Sequence, residues 1–302
     1  MKLVNSKEQF NLAAWATSPE AVNLLEKHDV KESTRQDYIY KVGRFVEYIE
    51  KEGFSQDVLI GYKESLRADL ALTTAGSKNA YYTAALVFVK LLCRHLGIDP
   101  AFVYTAKRFK RAAYHLKYGF SPEEVEMIKS FIALEKKPFK RARALAMVSL
   151  MAHAGFRTIE VVTLQGHNLN FSEKVAKVHG KASDELQTKH LPQKCITALQ
   201  TYFDFLPDTA GYLFTGMRGP QKEHITPQGL RQFLTPYIRA CGIKKTLHGF
   251  RHYFVTELLT LFGGDLLKVM HFSGHSSVNA VRAYDDRMKQ TIFKNEFHKY
   301  FD

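Results

Sequence analysis

Between residues 30 and 100 the apolar side chains recur every three or four positions. Tyr38, Val42, Phe45, Val46 and Ile49 follow Ser33-Thr34, a second stripe runs from Asp57 to about Leu70, and a third runs from about Asn79 to His95 with Tyr81, Ala84, Leu86, Val87 and Leu91. That period places each set on one face of an amphipathic helix, with Ser33-Thr34 as an N-terminal cap. A small bundle of about four helices fits this length, its aromatic rings packed in a core rather than stacked on a ligand.

The pattern changes after residue 120. Ser121-Pro122-Glu123-Glu124 combines a capping serine, a proline at the first helical position and a glutamate that completes a capping box. A helix through Ile128 and Ile132 follows, then a longer one from about Lys140 to His153. Next, 168–171, 174–179 and 186–191 alternate as short strands, with 180–184 as a turn. Thr226-Pro227 opens a helix striped by Leu230, Phe233, Leu234, Tyr237 and Ile238 and closed at Cys241-Gly242, and helices resume at His248. The predicted fold is mainly α with one small antiparallel β-sheet: an N-terminal helical bundle over 1–106, a linker over 107–120 and an α+β domain over 121–302.

Composition sharpens this outline. With 45% apolar and 24% charged residues, 9 Pro and 18 Gly, the 302-residue chain is neither disordered nor fibrous. Its three cysteines, Cys93, Cys195 and Cys241, are too far apart for a disulfide framework or a CxxC zinc pair, which suits a reducing compartment. No secretory leader pattern and no long uncharged apolar run is present, so a cytoplasmic, non-membrane protein is expected. The net charge of +13 is spread over both halves and sets up a field that attracts polyanions, nucleic acid first among them. The densest basic stretch, Lys107, Arg108, Lys110 and Arg111, falls in the linker. It is a candidate contact with phosphates, as are Arg231 and Arg239 on the helix that opens at Thr226-Pro227.

The chemistry gathers late in the chain. His248 and Arg251 stand three apart on one helical face, His275 follows in Ser273-Gly274-His275, and Tyr284 comes nine residues later. Arginine is a fixed planar donor suited to a phosphate, and imidazoles donate hydrogen bonds or move protons near neutral pH. This series resembles the tyrosine recombinase (phage integrase) family, whose motif is His-x-x-Arg, then Gly-His, then a nucleophilic tyrosine. An earlier family pattern, apolar-Gly-x-Arg-x-x-Glu, is matched by Ala154-Gly155-Phe156-Arg157-Thr158-Ile159-Glu160.

The resemblance implies a site-specific DNA recombinase or integrase that works through a 3′-phosphotyrosine and needs neither metal nor ATP. Tyr284 would be the nucleophile, His248 its base, and Arg157, Arg251 and His275 the groups that hold the phosphate. Lys181, in the turn between two strands, would be the catalytic lysine, with Lys189 and Lys177 as alternatives. Glu160 would orient His248 or an arginine, or simply pair with Arg157. The implied partners are double-stranded DNA with inverted-repeat sites and three further copies of the chain, in a homotetramer that forms on DNA from free monomers. The apolar tail with Ile292, Phe293, Phe297, Tyr300 and Phe301 would be donated to a neighbour. Departures from the pattern are Gly249-Phe250 after the histidine, Phe272-Ser273 before Gly274, and Asp285-Asp286 after the tyrosine, expected to face away from DNA or toward a neighbouring protomer.

Three other readings remain open on the residues alone. A type IB topoisomerase shares the chemistry. A metal-dependent nuclease would use the i,i+4 pairs His248/His252 and His271/His275, although Gly249 stands where such a site carries its base. A DNA-binding protein without cleavage is the third.

Overall fold

The computed structural model describes residues 24–25, 30–95, 97, 99–110, 119–179, 186–207, 209–216, 223–285 and 299. The chain divides into two compact units, 1–115 and 116–302.

In the first unit α1 (Glu32–Glu52), α2 (Val58–Ala68) and α3 (Ala75–His95) pack together. Phe45 of α1 sits at the centre, its ring edge-on to Tyr62 at 4.7 Å and to Phe88 at 6.4 Å. Helix α1 begins at Glu32, before the predicted cap. Ser33-Thr34 lie inside its first turn, where Glu32 accepts from Arg35 and Gln36. In α3 the deeply buried set is Tyr82, Ala84, Ala85, Phe88, Val89 and Leu92, while Tyr81, Leu86, Val87 and Leu91 are only partly covered. Because α3 is apolar around most of its circumference and packs against both α1 and α2, periodicity alone does not fix its inward face.

Beyond the 3-10 turn at Pro100–Phe102 the chain lies against α3. Asn79 grips Phe109 through two side-chain hydrogen bonds, and the Tyr82 hydroxyl both accepts from and donates to the backbone of Ala106. The 107–110 part of the basic run is therefore tied to the first core, with Lys107, Arg108 and Lys110 exposed. Arg111 lies outside the described residues.

The second unit opens with α4 (Pro122–Ala133), whose Ser121/Glu124 capping box forms as predicted. Helix α5 (Pro138–His153) is buried almost all round and forms the axis of the core, against which α4, α6 (Thr158–Val162) and α7 (Gln193–Phe203) pack. Strands β1 (Leu169–Asn170), β2 (Val175–His179) and β3 (Leu186–His190) make an antiparallel sheet in that order, with Ala176 opposite Lys189 and Val178 opposite Gln187. Thr226 caps α8 (Pro227–Ala240), and its stripe buries Leu230, Leu234 and Ile238. Then come α9 (His248–Leu261), α10 (Leu266–Ser273) and a helical stretch over 278–285. No helix among the described residues is long and apolar enough to cross a membrane.

Candidate active site

The turn after α5 places the first arginine. Gly155 has φ 65°, and a Cβ there would stand 2.2 Å from the Phe254 ring, so a glycine is required for the chain to swing into α6. Arg157 then precedes α6 and is held from two sides. Its backbone N–H donates to Glu160 Oε2 at 2.8 Å, one Nη donates to Glu160 Oε1 at 2.6 Å, and the other donates to the carbonyl of Gly274 at 2.9 Å. The Glu160 side chain is fully buried, while Arg157 keeps 22% of its side chain exposed. Burial pushes the Glu160 carboxyl up, but Lys189, the Arg157 N–H and the Arg157 guanidinium outweigh it and hold it below the usual carboxylate range.

Arg251 comes from the first turn of α9 and is only 3% exposed. It donates to the carbonyls of Gly155 at 2.6 Å and Ser273 at 2.8 Å. Burial first, and then the Arg157 charge, lower its pKa to about 10, which leaves it cationic at neutral pH. The α9 helix can lie this close because residue 249 has no side chain: a Cβ there would be 2.9 Å from the Phe120 ring, which stacks on Phe250 at 4.3 Å. The departure Gly249-Phe250 is thus a packing device.

Gly274, in the left-handed conformation, ends α10 and delivers His275 to the same pocket. Arg251 Nη2 faces His275 Nε2 at 3.4 Å, and Ser273 Oγ lies 2.6 Å from His275 Nδ1. A guanidinium only donates, so in this arrangement Nε2 accepts and Nδ1–H donates to Ser273. Burial, followed by Arg251, Arg157 and Lys189, lowers the His275 pKa to about 3, so the ring is neutral at pH 7. The Tyr284 ring lies 5.9 Å from His275 and 4.9 Å from His252. His252 in turn meets the exposed His248 edge-on at 4.6 Å. His252, which the sequence offered only as half of a metal pair, therefore stands between His248 and Tyr284.

The lysines separate clearly. Lys181 lies outside the described residues. Lys177 is exposed on β2. Lys189 on β3 is 2% exposed, with Nζ 3.4 Å from Glu160 Oε2, 3.5 Å from the carbonyl of Ser273 and 5.7 Å from the centre of the Phe156 ring. Arg157, Arg251 and Lys189 set against Glu160 leave this cluster with a charge of 3 − 1 = +2 when all four are ionised. Such an excess suits an anion, and two guanidiniums suit the oxygens of a phosphate.

Asp285 is buried at 6% exposure with Oδ1 facing Gly264, which corrects the expectation that it reaches toward a neighbour. Asp286 and the tail residues Ile292, Phe293, Phe297, Tyr300 and Phe301 lie outside the described residues. Arg231 and Arg239 are exposed on α8. Among the described residues no three His, Cys, Asp or Glu side chains gather as metal ligands.

The sequence profile of the Phage integrase family matches residues 120–291. The chain belongs to that family. As a tyrosine recombinase it is an enzyme that cleaves and rejoins DNA. Its relatives include the tyrosine recombinase XerA of Pyrococcus furiosus, 26% identical over 88% of this chain and 87% of that protein. The tyrosine recombinase XerC of Leptospira interrogans is 27% identical over 72% of this chain and 69% of its own length. Among solved structures, the XerH site-specific recombinase bound to its palindromic difH substrate superposes with a TM-score of 0.71 at 20% identity, covering 96% of this recombinase and 87% of that chain. A lambda integrase dimer bound to a COC′ core site gives 0.66 at 13% identity, over 88% and 92%.

Proposed function

We propose that this recombinase joins DNA at specific inverted-repeat sites, with Tyr284 as nucleophile and Arg157, Arg251 and His275 as the phosphate receptor. The observation that supports this reading most directly is the meeting of those four side chains in one pocket, although they come from the turn before α6, α9, the turn after α10 and the following helical stretch.

The steps balance. The Tyr284 oxygen attacks the scissile phosphorus and its proton passes to His248, directly or across the ring of His252. The bond from phosphorus to the 5′-oxygen breaks, leaving a 3′-phosphotyrosine, and Lys181 protonates the departing oxygen. A phenol with a pKa near ~10 needs such a base. Charge that builds on the phosphoryl oxygens meets guanidiniums already fixed by Glu160 and by backbone carbonyls, so little reorganisation accompanies the reaction. A phosphoryl oxygen accepts only, so His275 must offer Nε2–H to it. The Ser273 hydroxyl permits this, because it can rotate from accepting from Nδ1 to donating to it. The phosphodiester energy is kept in the tyrosyl ester, so religation by a partner 5′-hydroxyl needs no ATP or metal.

The domain over 1–106 and the basic linker over 107–120 would close on the duplex, with Lys107, Arg108, Lys110 and Arg111 on phosphates and Arg231 and Arg239 at a groove. Lys63, Arg67 and Lys78 surround the Phe109 ring at 5.4–6.0 Å and add to that basic face. The working particle would be a homotetramer on DNA, assembled from free monomers in the cytoplasm at the nucleoid. The test is strand exchange between two labelled duplexes carrying inverted repeats from the native locus. Recombinant product expected from wild type and lost in Tyr284→Phe supports the reading. Relaxation of supercoiled DNA without exchange would move the chain to a type IB topoisomerase, and EDTA-sensitive cleavage that survives Tyr284→Phe to a metal-dependent nuclease.

A further inference from the structure

We propose that Lys189 is a positioning residue of strand transfer: a buried ammonium that fastens the β2–β3 hairpin to the carboxylate and the turn that hold the two arginines. The proposal rests on the recombinase reading of the site and concerns a group to which that reading gives no task.

Its contacts tie it to other parts of the protein. At 2% side-chain exposure Lys189 is as buried as Arg251, and its Nζ is held among protein groups. What it reaches belongs to two separate elements, α6 and the end of α10. Glu160 Oε2, 3.4 Å away, belongs to α6 and also accepts from the Arg157 N–H. The Ser273 carbonyl, 3.5 Å away, also accepts from Arg251. Gly274, whose carbonyl accepts from Arg157, lies beside the ammonium: a Cβ there would stand 3.6 Å from Lys189 Nζ, an ordinary contact. Three of the four anchors of the arginines, Glu160 and the carbonyls of Ser273 and Gly274, are thus shared with, or adjacent to, this one lysine; the fourth, the Gly155 carbonyl, serves Arg251 alone. Strand β3 in turn follows Lys181 closely in the sequence, so the same tether fixes the strand that comes after that residue.

A buried lysine is costly unless its charge is used. Ala176 opposite it is apolar, so the polar partners of its ammonium are Glu160 and the Ser273 carbonyl, beside the ring of Phe156. The groups facing Lys189 are Glu160 and Arg157 at α6, Arg251 from α9, His275 after α10, and Gln187 on its own strand. Burial, opposed by Glu160 and reinforced by Arg251 and Arg157, lowers its pKa to about 8. The charged form is the tethering form. Raising the pH through about 8 should therefore remove the proton, release Glu160 and the 273–274 turn, and slow cleavage without releasing DNA.

Three measurements test this. The first is made on the free protein: in a [13Cε]lysine-labelled sample, with the Lys189 signal assigned by its loss in Lys189→Arg, the titration midpoint should fall near 8. The midpoint should fall further in Glu160→Gln, because the carboxylate raises it, and a midpoint unmoved by that substitution would overturn the proposal. The second uses a nicked duplex from the native locus. Lys189→Met should bind it within about twofold of wild type in a gel shift but form the covalent adduct on the order of 100-fold more slowly, and a wild-type rate would overturn the proposal. The third is the pH profile of Lys189→Arg, which stays charged throughout. It should restore most of the rate and move the alkaline decline upward by at least one pH unit, whereas an unmoved limb would overturn the proposal. If Lys189→Met does not fold, the titration and the arginine variant still decide. A failure of wild type to form a Tyr284-dependent adduct would count against the recombinase reading, and the titration would still judge the tether.

Discussion

The two cores of this chain bury different things. Among the described residues, the first unit buries one polar side chain, Asn79, in an interior otherwise made of rings and aliphatic groups. The second buries Arg143, Glu160, Lys189, Arg251 and Asp285 beside its apolar residues. Burial of charge opposes folding unless partners are exact in place. The first core is thus arranged for stability, and the second gives up stability to hold charges where bulk water cannot reorient around them. Arg143 shows that not all of this charge is for chemistry. It lies on α5, donates to the Thr215 carbonyl at 2.6 Å and packs against Phe139 and Phe233, fastening a loop.

The largest expected effects contrast one residue from each core. Arg251→Ala should lower the rate of covalent adduct formation by about 10³-fold, as loss of a fixed transition-state donor does. Arg251→Lys should recover little of it, because a compact ammonium lacks the planar fork whose separate nitrogens reach the Gly155 and Ser273 carbonyls. Phe45→Ala should instead cost about 3–5 kcal/mol of stability in the first unit, read by denaturant unfolding. Adduct formed per bound DNA should be unchanged in that variant at temperatures where it is folded. Equal losses of chemistry from both variants would erase the distinction between the cores.

Acid should separate the units next. His275 and His153 both belong to the second unit and have pKa values lowered to about 3 and about 4, in each case by burial first. An unfolded histidine binds its proton below ~6.5, while these stay neutral until far lower pH. The unfolded chain therefore holds more protons between about 6.5 and 4, and the stability of the second unit should fall as pH drops through that window. Residue-resolved hydrogen exchange from pH 7 to 4.5 is the check, with protection in α5 and α9 expected to fall faster than in α3.

How much of this was legible beforehand differs along the same line. In the second unit the capping box, the three strands, the Thr226 cap and the start at His248 were readable because local signals agree with the tertiary outcome. The inward face of α3 was not, since an almost wholly apolar helix has no phase to read. Of the site, the order of Arg157, His248, Arg251, His275 and Tyr284 was visible as a motif, but the shared carbonyls that lock the arginines were not, because backbone atoms carry no sequence signature. Lys189 carries a readable signal. In an alternating strand it shares a face with Leu191, two positions on, which is buried. His252 acquires its place only when the helical stretch 278–285 brings Tyr284 against α9.

Smaller effects sharpen the comparison. Ser273→Ala removes the hydroxyl that lets His275 take either tautomer and should slow adduct formation by about tenfold, the worth of ~1.4 kcal/mol. The ring 15N shifts of His275 should then report a changed tautomer balance, while the Arg251 contact to the Ser273 carbonyl survives. Smallest of all, Lys107→Ala, Arg108→Ala or Lys110→Ala should each lower the slope of log affinity against log salt by ~0.9 and leave the rate on bound DNA unchanged. A changed rate would place that residue in the chemistry rather than on the phosphates.

The central claim is that the charged core of the second unit serves phosphoryl transfer to Tyr284. Its most direct measurement is covalent trapping on nicked native-locus DNA in EDTA, followed by denaturation, proteolysis and mass spectrometry of the DNA-linked peptide. The account predicts a 3′-phosphoryl adduct on Tyr284 that is absent from Tyr284→Phe and severely reduced in Arg251→Ala. An adduct on another residue, or cleavage that persists in Tyr284→Phe, would contradict it.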